Sequence, residues 1–476
     1  MPRLKVLFVT SECMPFAKTG GLGDVAGTLP CELRRRGHDV RVVMPRYRVT
    51  QSYPARLLAA PLAVPNDYGE SWAAVWEGKL ASDVPVYLVE HDVLYDREGI
   101  YGDAHGEFGD NARRYAFLSR AGLELRRYLP FEPDVIHVHD WQTGLVPTYA
   151  RASGESVPTV LTIHNLGYQG RFRADQLATI GIGADRQHDV GLEHHGDINL
   201  LKAGLTCATC LSTVSPSYAQ EIQTSEGGAG LDGVLRDRAD DLFGILNGID
   251  EETWDPSADP LLPARYDVDH LDGKAACKRA LQVRLGLVPR PDVPLVGLVS
   301  RFVEQKGIDV FAAALEHLLP LDLQFAVLGS GEPWAEQLFA RLSETSDRFR
   351  ARLGFDEGLA HLIEAGADLF VMPSRYEPCG LNQMYSQRYG TLPVVRAVGG
   401  LRDTVEHDHT GFVFEALAGE ALAGAVAYAA DTYRSSSAHF AQMQRAAMAK
   451  RMGWDHVAVQ YEALYRLAVA RQRGRH

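Results

Sequence analysis

Leu4-Lys-Val-Leu-Phe-Val-Thr10, followed by Lys18-Thr-Gly-Gly-Leu-Gly-Asp24, is the stretch whose reading decides the fold. A short apolar run that ends in a glycine-rich turn and then a helical-period segment opens a parallel βα unit. Backbone amides of such a loop can face an anion at the positive end of the following helix. Gly20, Gly21 and Gly23 let a ligand approach the main chain closely. Gly21, Gly23 and Gly27 also form a loose relative of the nicotinamide-dinucleotide fingerprint. Against that reading, the second strand runs into Met44-Pro45-Arg46, where an NAD site needs an acidic residue for the ribose hydroxyls. Arg46 would have to serve the 2′-phosphorylated cofactor instead.

Outward from this stretch the same unit recurs in two series. The first has apolar runs at 4–10, 39–44, 84–89, 134–139, 159–163, 211–214 and 242–246, and the second at 295–300, 324–328, 349–355, 369–372, 393–396 and 411–414. Residues 247–292, rich in Pro and Asp with one expected helix at 274–285, read as the connection between them. Residues 454–471 place Val457, Val459, Tyr461, Leu464, Tyr465 and Leu467 on one broad helical face that has to pack on protein. The expected fold is α/β: two Rossmann-like, doubly wound parallel sheets facing a cleft, which bind ligands at the carboxyl ends of their strands. The expected domains are 1–246 and 247–453, with a C-terminal helix at 454–476 that crosses back to the first.

The formal net charge of -13 over 476 residues opposes nucleic acid or an anionic membrane as the main partner, so a phosphate site has to be a local basic pocket. No apolar run reaches the length of a membrane span. Cys13, Cys31, Cys207, Cys210, Cys277 and Cys379 are too scattered for a disulfide framework and fit a reducing cytoplasm. Cys207-Ala-Thr-Cys210 has redox or zinc spacing but no second pair, and reads as structural thiols.

Three further motifs sit at strand exits. In Ser300-Arg301-Phe-Val-Glu-Gln-Lys306-Gly307, Arg301 and Lys306 can meet a diphosphate, a planar fork and a mobile point charge that together stabilise a departing anion. The alternative is a solvated basic loop. In Pro373-Ser-Arg-Tyr-Glu377-Pro-Cys379-Gly380-Leu381, a carboxylate can accept hydrogen bonds from sugar hydroxyls while the amides that follow suit a phosphate; the alternative is a surface salt bridge. His137-Val-His139-Asp140-Trp141 and Thr162-Ile-His164-Asn165 offer alternating histidines that are metal ligands or buried, hydrogen-bonded imidazoles. The second reading is favoured, and no metal is expected.

Taken together, Lys18-Thr-Gly-Gly-Leu, His139-Asp140-Trp141, His164-Asn165-Leu-Gly-Tyr-Gln-Gly170, Ser215-Pro-Ser-Tyr, Asn247-Gly-Ile-Asp250, Arg301 with Lys306, and Glu377-Pro-Cys-Gly-Leu381 closely resemble the bacterial glycogen synthases and plant starch synthases. The likeness runs from Lys5 to about Tyr465. It implies a retaining GT-B glycosyltransferase that moves glucose from ADP-glucose to the non-reducing end of an α-1,4-glucan such as glycogen, with no cofactor. Plant members carry N-terminal extensions, whereas the first strand here starts within a few residues of Met1, nearer the bacterial pattern.

Carried over by the resemblance, Lys18 and the amides of Gly20 and Gly21 lie beside the donor diphosphate, with Arg301 and Lys306 on its other side. Glu377, with Cys379, Gly380 and Leu381, holds the donor. Asp140 and His164 line the acceptor side near the reacting glucose, Asn247 helps position it, and Phe355 supplies an aromatic face for adenine where the family often has Tyr. Wider relatives carry a second Glu at the position of Tyr385, and Gly23 and Asn382 stand where Ala and Thr are usual. Two other functions are weighed: transfer to a small sugar phosphate, and a non-catalytic α-glucan-binding protein. Trp72, Trp76 and Tyr95 could serve an extended acceptor or ordinary packing.

Overall fold

The computed structural model describes residues 2–66, 69–183 and 187–474. The chain divides into two compact units, one formed by Met1–Val214, Ala219–Gly248 and Trp454–His476, the other by Ser215–Tyr218 and Ile249–Gly453.

In the first unit seven parallel strands lie in the order Leu242–Gly244, Cys210–Thr213, Thr159–Ile163, Val135–His139, Lys5–Val9, Asp39–Pro45 and Pro85–Glu90. The first strand in the chain therefore pairs with the second on one side and the fourth on the other. Strand order reverses at that point, and the loops leaving Val9 and His139 depart in opposite directions, which opens a crevice at the carboxyl edge. Both faces are covered: Val6, Phe8, Val42 and Val135 join one apolar cluster, while Leu7, Val9, Val43 and Ile136 are buried on the other side. Double burial explains why these strands read as unbroken apolar runs. The sequence reading did not anticipate Gly69–Lys79, which pairs antiparallel to Pro85–Glu90 and to Leu62–Asn66. Its one-sided alternation belongs to a sheet margin with a wet face.

The second unit is a six-stranded parallel sheet whose strands, numbered along the chain, lie in the order 3-2-1-4-5-6. The reversal falls between Leu295–Phe302 and Leu369–Met372. Alternate residues of one strand enter different cores: Val296 and Leu298 face one cluster, and Leu295 the other.

Two boundaries differ from expectation. Residues 249–271 are no linker, because Tyr266 donates to the carbonyl of Tyr389 at 2.8 Å and Asp259 accepts from the Tyr389 hydroxyl at 2.6 Å, tying that stretch into the second unit. Ser215–Tyr218 also group with the second unit: Ser215 donates to the Pro378 carbonyl at 2.6 Å, and Ser217 donates its amide and hydroxyl to Asp403.

The C-terminal helix, Trp454–Arg473, returns to the first unit and buries Trp454, Val457, Ala458, Tyr461, Leu464 and Tyr465 against the core of its sheet. Val459, expected on that face, points outward, and Ala458 takes its place. Polar anchors fix the helix: Glu462 accepts from Arg36 at 2.5 Å, Arg471 donates to Asp241 at 2.5 Å, and Tyr465 hydrogen-bonds His137 at 2.8 Å. Removing the Tyr465 ring leaves both a cavity and an unpartnered imidazole nitrogen. Tyr465→Ala is expected to cost about 3–5 kcal/mol, measurable by chemical denaturation of the full chain.

Candidate active site

In the first unit the loop after Lys5–Val9 is organised by a residue the motifs did not reveal, Glu12. Its buried carboxylate accepts from the Thr19 amide at 2.5 Å, the Thr19 hydroxyl at 2.7 Å, the Gly20 amide at 3.1 Å and the Tyr101 hydroxyl at 2.5 Å. The only signal in sequence was an acidic residue two positions beyond an apolar strand, and nothing marked its partners. The Gly20 amide, expected beside a diphosphate, donates to Glu12. Gly21, at the first position of the helix Gly21–Arg35, keeps the amide that helix geometry leaves without an internal acceptor. A Cβ built on Gly20 or Gly21 meets nothing within 4 Å, so the open space lies outside the protein's own packing. Lys18 is half exposed beside it and pairs with Asp24 at 2.6 Å.

At the exit of Val135–His139, Asp140 adopts φ +52°, a left-handed conformation that Asp tolerates better than most residues. That turn aims its Oδ1 at the amides of His164, at 2.7 Å, and Asn165, at 3.5 Å. Burial raises the Asp140 carboxyl to about 7, against the lowering effect of those amides. His164 Nε2 lies 3.1 Å from His139 Nδ1. His137 is bonded to Tyr465 at 2.8 Å and to Thr162 at 2.6 Å, so the alternating histidines are hydrogen-bonded core groups. Burial pushes His164 down to about 3 and holds His137 and His139 well below the usual imidazole range. Asn247 is buried too, and its Oδ1 has no donor among the described residues.

In the second unit the switch point sets Lys306 against Glu377. Gly307, at φ +66°, follows Lys306, and a Cβ there would stand 1.9 Å from the Pro373 carbonyl, so only glycine lets the two loops touch. Lys306 Nζ then reaches both Glu377 oxygens, at 2.9 and 2.6 Å, and Ser374 donates to the same carboxylate at 3.0 Å. Glu377 is only 4% exposed, which removes the surface salt-bridge alternative. Arg301 is exposed at the end of Leu295–Phe302.

Cys379 is buried, and its carbonyl accepts from Gln383 at 3.0 Å. Gly380 takes φ +72° and Leu381 precedes the short helix Asn382–Arg388. Tyr385, at the place of the wider relatives' second Glu, stacks on Trp254 at 3.9 Å, and the other face of Trp254 carries His361 at 4.0 Å. The strand expected to reach Phe355 ends at Leu353, and Gly354 turns the chain out at φ +102°. Phe355 is left 90% exposed, an unusual place for an aromatic ring without a partner. Of the other aromatics, Tyr95 is buried, Trp76 lies under the Arg46 guanidinium at 3.8 Å, and Trp72 is exposed. Among the described residues no three His, Cys, Asp or Glu side chains gather as a metal group, and no helix is long and apolar enough to cross a membrane.

Residues 5–237 match the family described as Starch synthase catalytic domain, and residues 286–446 match Glycosyl transferases group 1. With two doubly wound α/β units, these matches define a glycosyltransferase of the GT-B class. Over its full length the chain is 48% identical to glycogen synthase 1 of Geobacter metallireducens, covering 98% of that protein. It is 52% identical to the glycogen synthase of Anaeromyxobacter sp. strain Fw109-5, with 98% of this chain and 100% of the relative covered. Among solved structures, the catalytic domain of starch synthase IV from Arabidopsis thaliana, bound to ADP and acarbose, is similar with a TM-score of 0.90 and 33% identity over 98% of this chain and 100% of that one. The chain belongs to the glycogen and starch synthase family.

Asp140 offers a sign-definite test. Its folded value lies above the unfolded one, so its contribution to stability is present below about pH 4 and lost as pH rises through about 7. Asn keeps the Oδ1 acceptor and the left-handed preference without the buried charge. Asp140→Asn is expected to raise the melting temperature by about 2–6 °C at about pH 8 and by roughly a third as much at about pH 5, read by thermal melts at both.

Proposed function

We propose that this enzyme extends an α-1,4-glucan by moving glucose from ADP-glucose to the 4-hydroxyl of the non-reducing end, with retention at the anomeric carbon. The observation that carries the reading is the buried Glu377 carboxylate held by Lys306 at the second unit's switch point, with Arg301 exposed at the end of the strand that leads to Lys306. There a carboxylate is held ready for sugar hydroxyls and two cations stand ready for a diphosphate.

In the reaction the acceptor oxygen bonds to the anomeric carbon as the bond to the diphosphate breaks. Negative charge grows on the departing ADP, where Arg301 and Lys306 stabilise it. These groups take the part a divalent metal plays elsewhere, so no cofactor is required. Preorganised cations of this kind are worth on the order of a hundredfold to a thousandfold each in turnover. Phe355 offers its face to the adenine, Glu377 with the Cys379–Leu381 turn holds the donor glucose, and Asn247 Oδ1 accepts from a hydroxyl. Asp140 and His164 line the acceptor side. The route is a front-face displacement, without the second carboxylate that a covalent glucosyl intermediate needs. The acceptor's proton therefore passes to the departing phosphate oxygen on the same face. A cytoplasmic setting is supported by six cysteines that all remain thiols.

The test is release of nucleoside diphosphate from ADP-glucose and UDP-glucose, each with and without glycogen. Glycogen-dependent ADP release, with UDP-glucose poor, is expected. Release only with a hexose phosphate as acceptor would replace the reading with small-molecule transfer, and no release with any acceptor would leave a glucan-binding protein. Because Phe355 is 90% exposed, Phe355→Ala is expected to leave the melting temperature unchanged while raising KM for ADP-glucose roughly tenfold, checked by steady-state kinetics.

A further inference from the structure

We infer that His139 is a positioning residue that fixes the tautomer of His164, and that this tautomer makes His164 a hydrogen-bond donor to sugar and bars it from accepting the acceptor's proton. The second half rests on the proposed function; the first stands on geometry alone.

His139 Nδ1 and His164 Nε2 lie 3.1 Å apart, so one carries the hydrogen and the other the lone pair. The opposite end of the His139 ring decides between them. His139 Nε2 is sealed from solvent and has no hydrogen-bond partner among the described residues. Its ring is packed against Phe8, with centroids 5.6 Å apart, and His137, at 4.3 Å. A hydrogen on Nε2 would be a buried N–H with no acceptor, the rarer and costlier of the two orphans; a lone pair there is better tolerated. His139 therefore carries its hydrogen on Nδ1 and donates it to His164 Nε2. A cationic ring is not the alternative, because His137 and His139 are fully buried, His164 is partly enclosed against them, and none of the three rings has a carboxylate partner among the described residues.

His164 is left with its own hydrogen on Nδ1 and its only lone pair occupied. It can donate, and it has nothing with which to take a proton. Its backbone is held by the 2.7 Å bond from its amide to Asp140, so the Nδ1–H has a set direction. His139 is held in turn: its amide donates to the Thr143 hydroxyl at 2.7 Å, and its ring rests on His137, which Tyr465 and Thr162 clamp at both nitrogens. An uncharged N–H aimed at a sugar oxygen also explains why the site tolerates a histidine that does not ionise in the neutral range.

Two variants and a spectrum test this in the full chain. His139→Phe keeps the ring packing and removes both nitrogens; His139→Asn puts an amide N–H near the Nδ1 position. In the wild-type protein, nitrogen-15 imidazole NMR, with the His164 signals assigned by their loss in His164→Gln, is expected to show neutral His164 with its hydrogen on Nδ1. His139→Phe is expected to mix the two tautomers of His164 and lower kcat roughly 10–100-fold with KM for the donor little changed, and His139→Asn to recover most of that loss. A wild-type His164 carrying its hydrogen on Nε2 would overturn the assignment, as would a folded His139→Phe with wild-type kcat. If His139→Phe does not fold, the wild-type spectrum decides. A wild-type chain without transferase activity would defeat the proposed function while the spectrum still judged the tautomer.

Discussion

Parallel strands cannot be joined by tight turns, and each crossover has to cover a face of the sheet with helix. In both units this constraint leaves one place where consecutive crossovers go opposite ways: between Lys5–Val9 and Val135–His139 in the first, and between Leu295–Phe302 and Leu369–Met372 in the second. The side chains assigned to chemistry follow from it. Glu12 and Lys18 leave one side of the first switch point and Asp140 the other; Arg301 and Lys306 leave one side of the second and Glu377 the other. Residues far apart in sequence become neighbours because the strands that carry them pair directly.

Three buried acids illustrate how differently one functional group can be accommodated. Glu12 is met by four hydrogen-bond donors and organises a loop. Glu377 is met by a lysine and a serine hydroxyl. Asp140 receives the backbone amides of His164 and Asn165 while burial works against its charge, so its carboxyl rises to about 7. Glu12 and Glu377 are thus fixed by their partners, whereas the incomplete pairing of Asp140 leaves it poised to change protonation. His137 and His139 show the converse, since full burial holds both imidazoles well below their usual range.

Much of the architecture was legible along the chain. The apolar runs from 4–10 to 411–414 carried it, because a strand buried on both faces needs a continuous apolar stretch. Gly69–Lys79 escaped because a strand with one wet face looks like any alternating surface segment, and residues 249–271 passed for a linker because proline and aspartate mark turns whether or not those turns are packed. Val459 was misplaced by a helical periodicity that cannot say where the apolar face ends.

Residue types and their strand-exit positions were readable: Lys18, Asp140, His164, Arg301, Lys306 and Glu377 all lie at or after strand ends. Their states were not. That Glu377 is sealed against Lys306, that Gly20 has given its amide to Glu12, and that the hydrogen between His139 and His164 has one allowed place all depend on groups brought near by strand pairing and burial. Sequence by itself determined the elements and the inventory of charged and glycine residues, because periodicity and backbone permissiveness are local properties. Protonation, tautomer and hydrogen-bond partnership were decided only by the tertiary structure, because each is set by the water a group has lost and by the neighbour that replaced it.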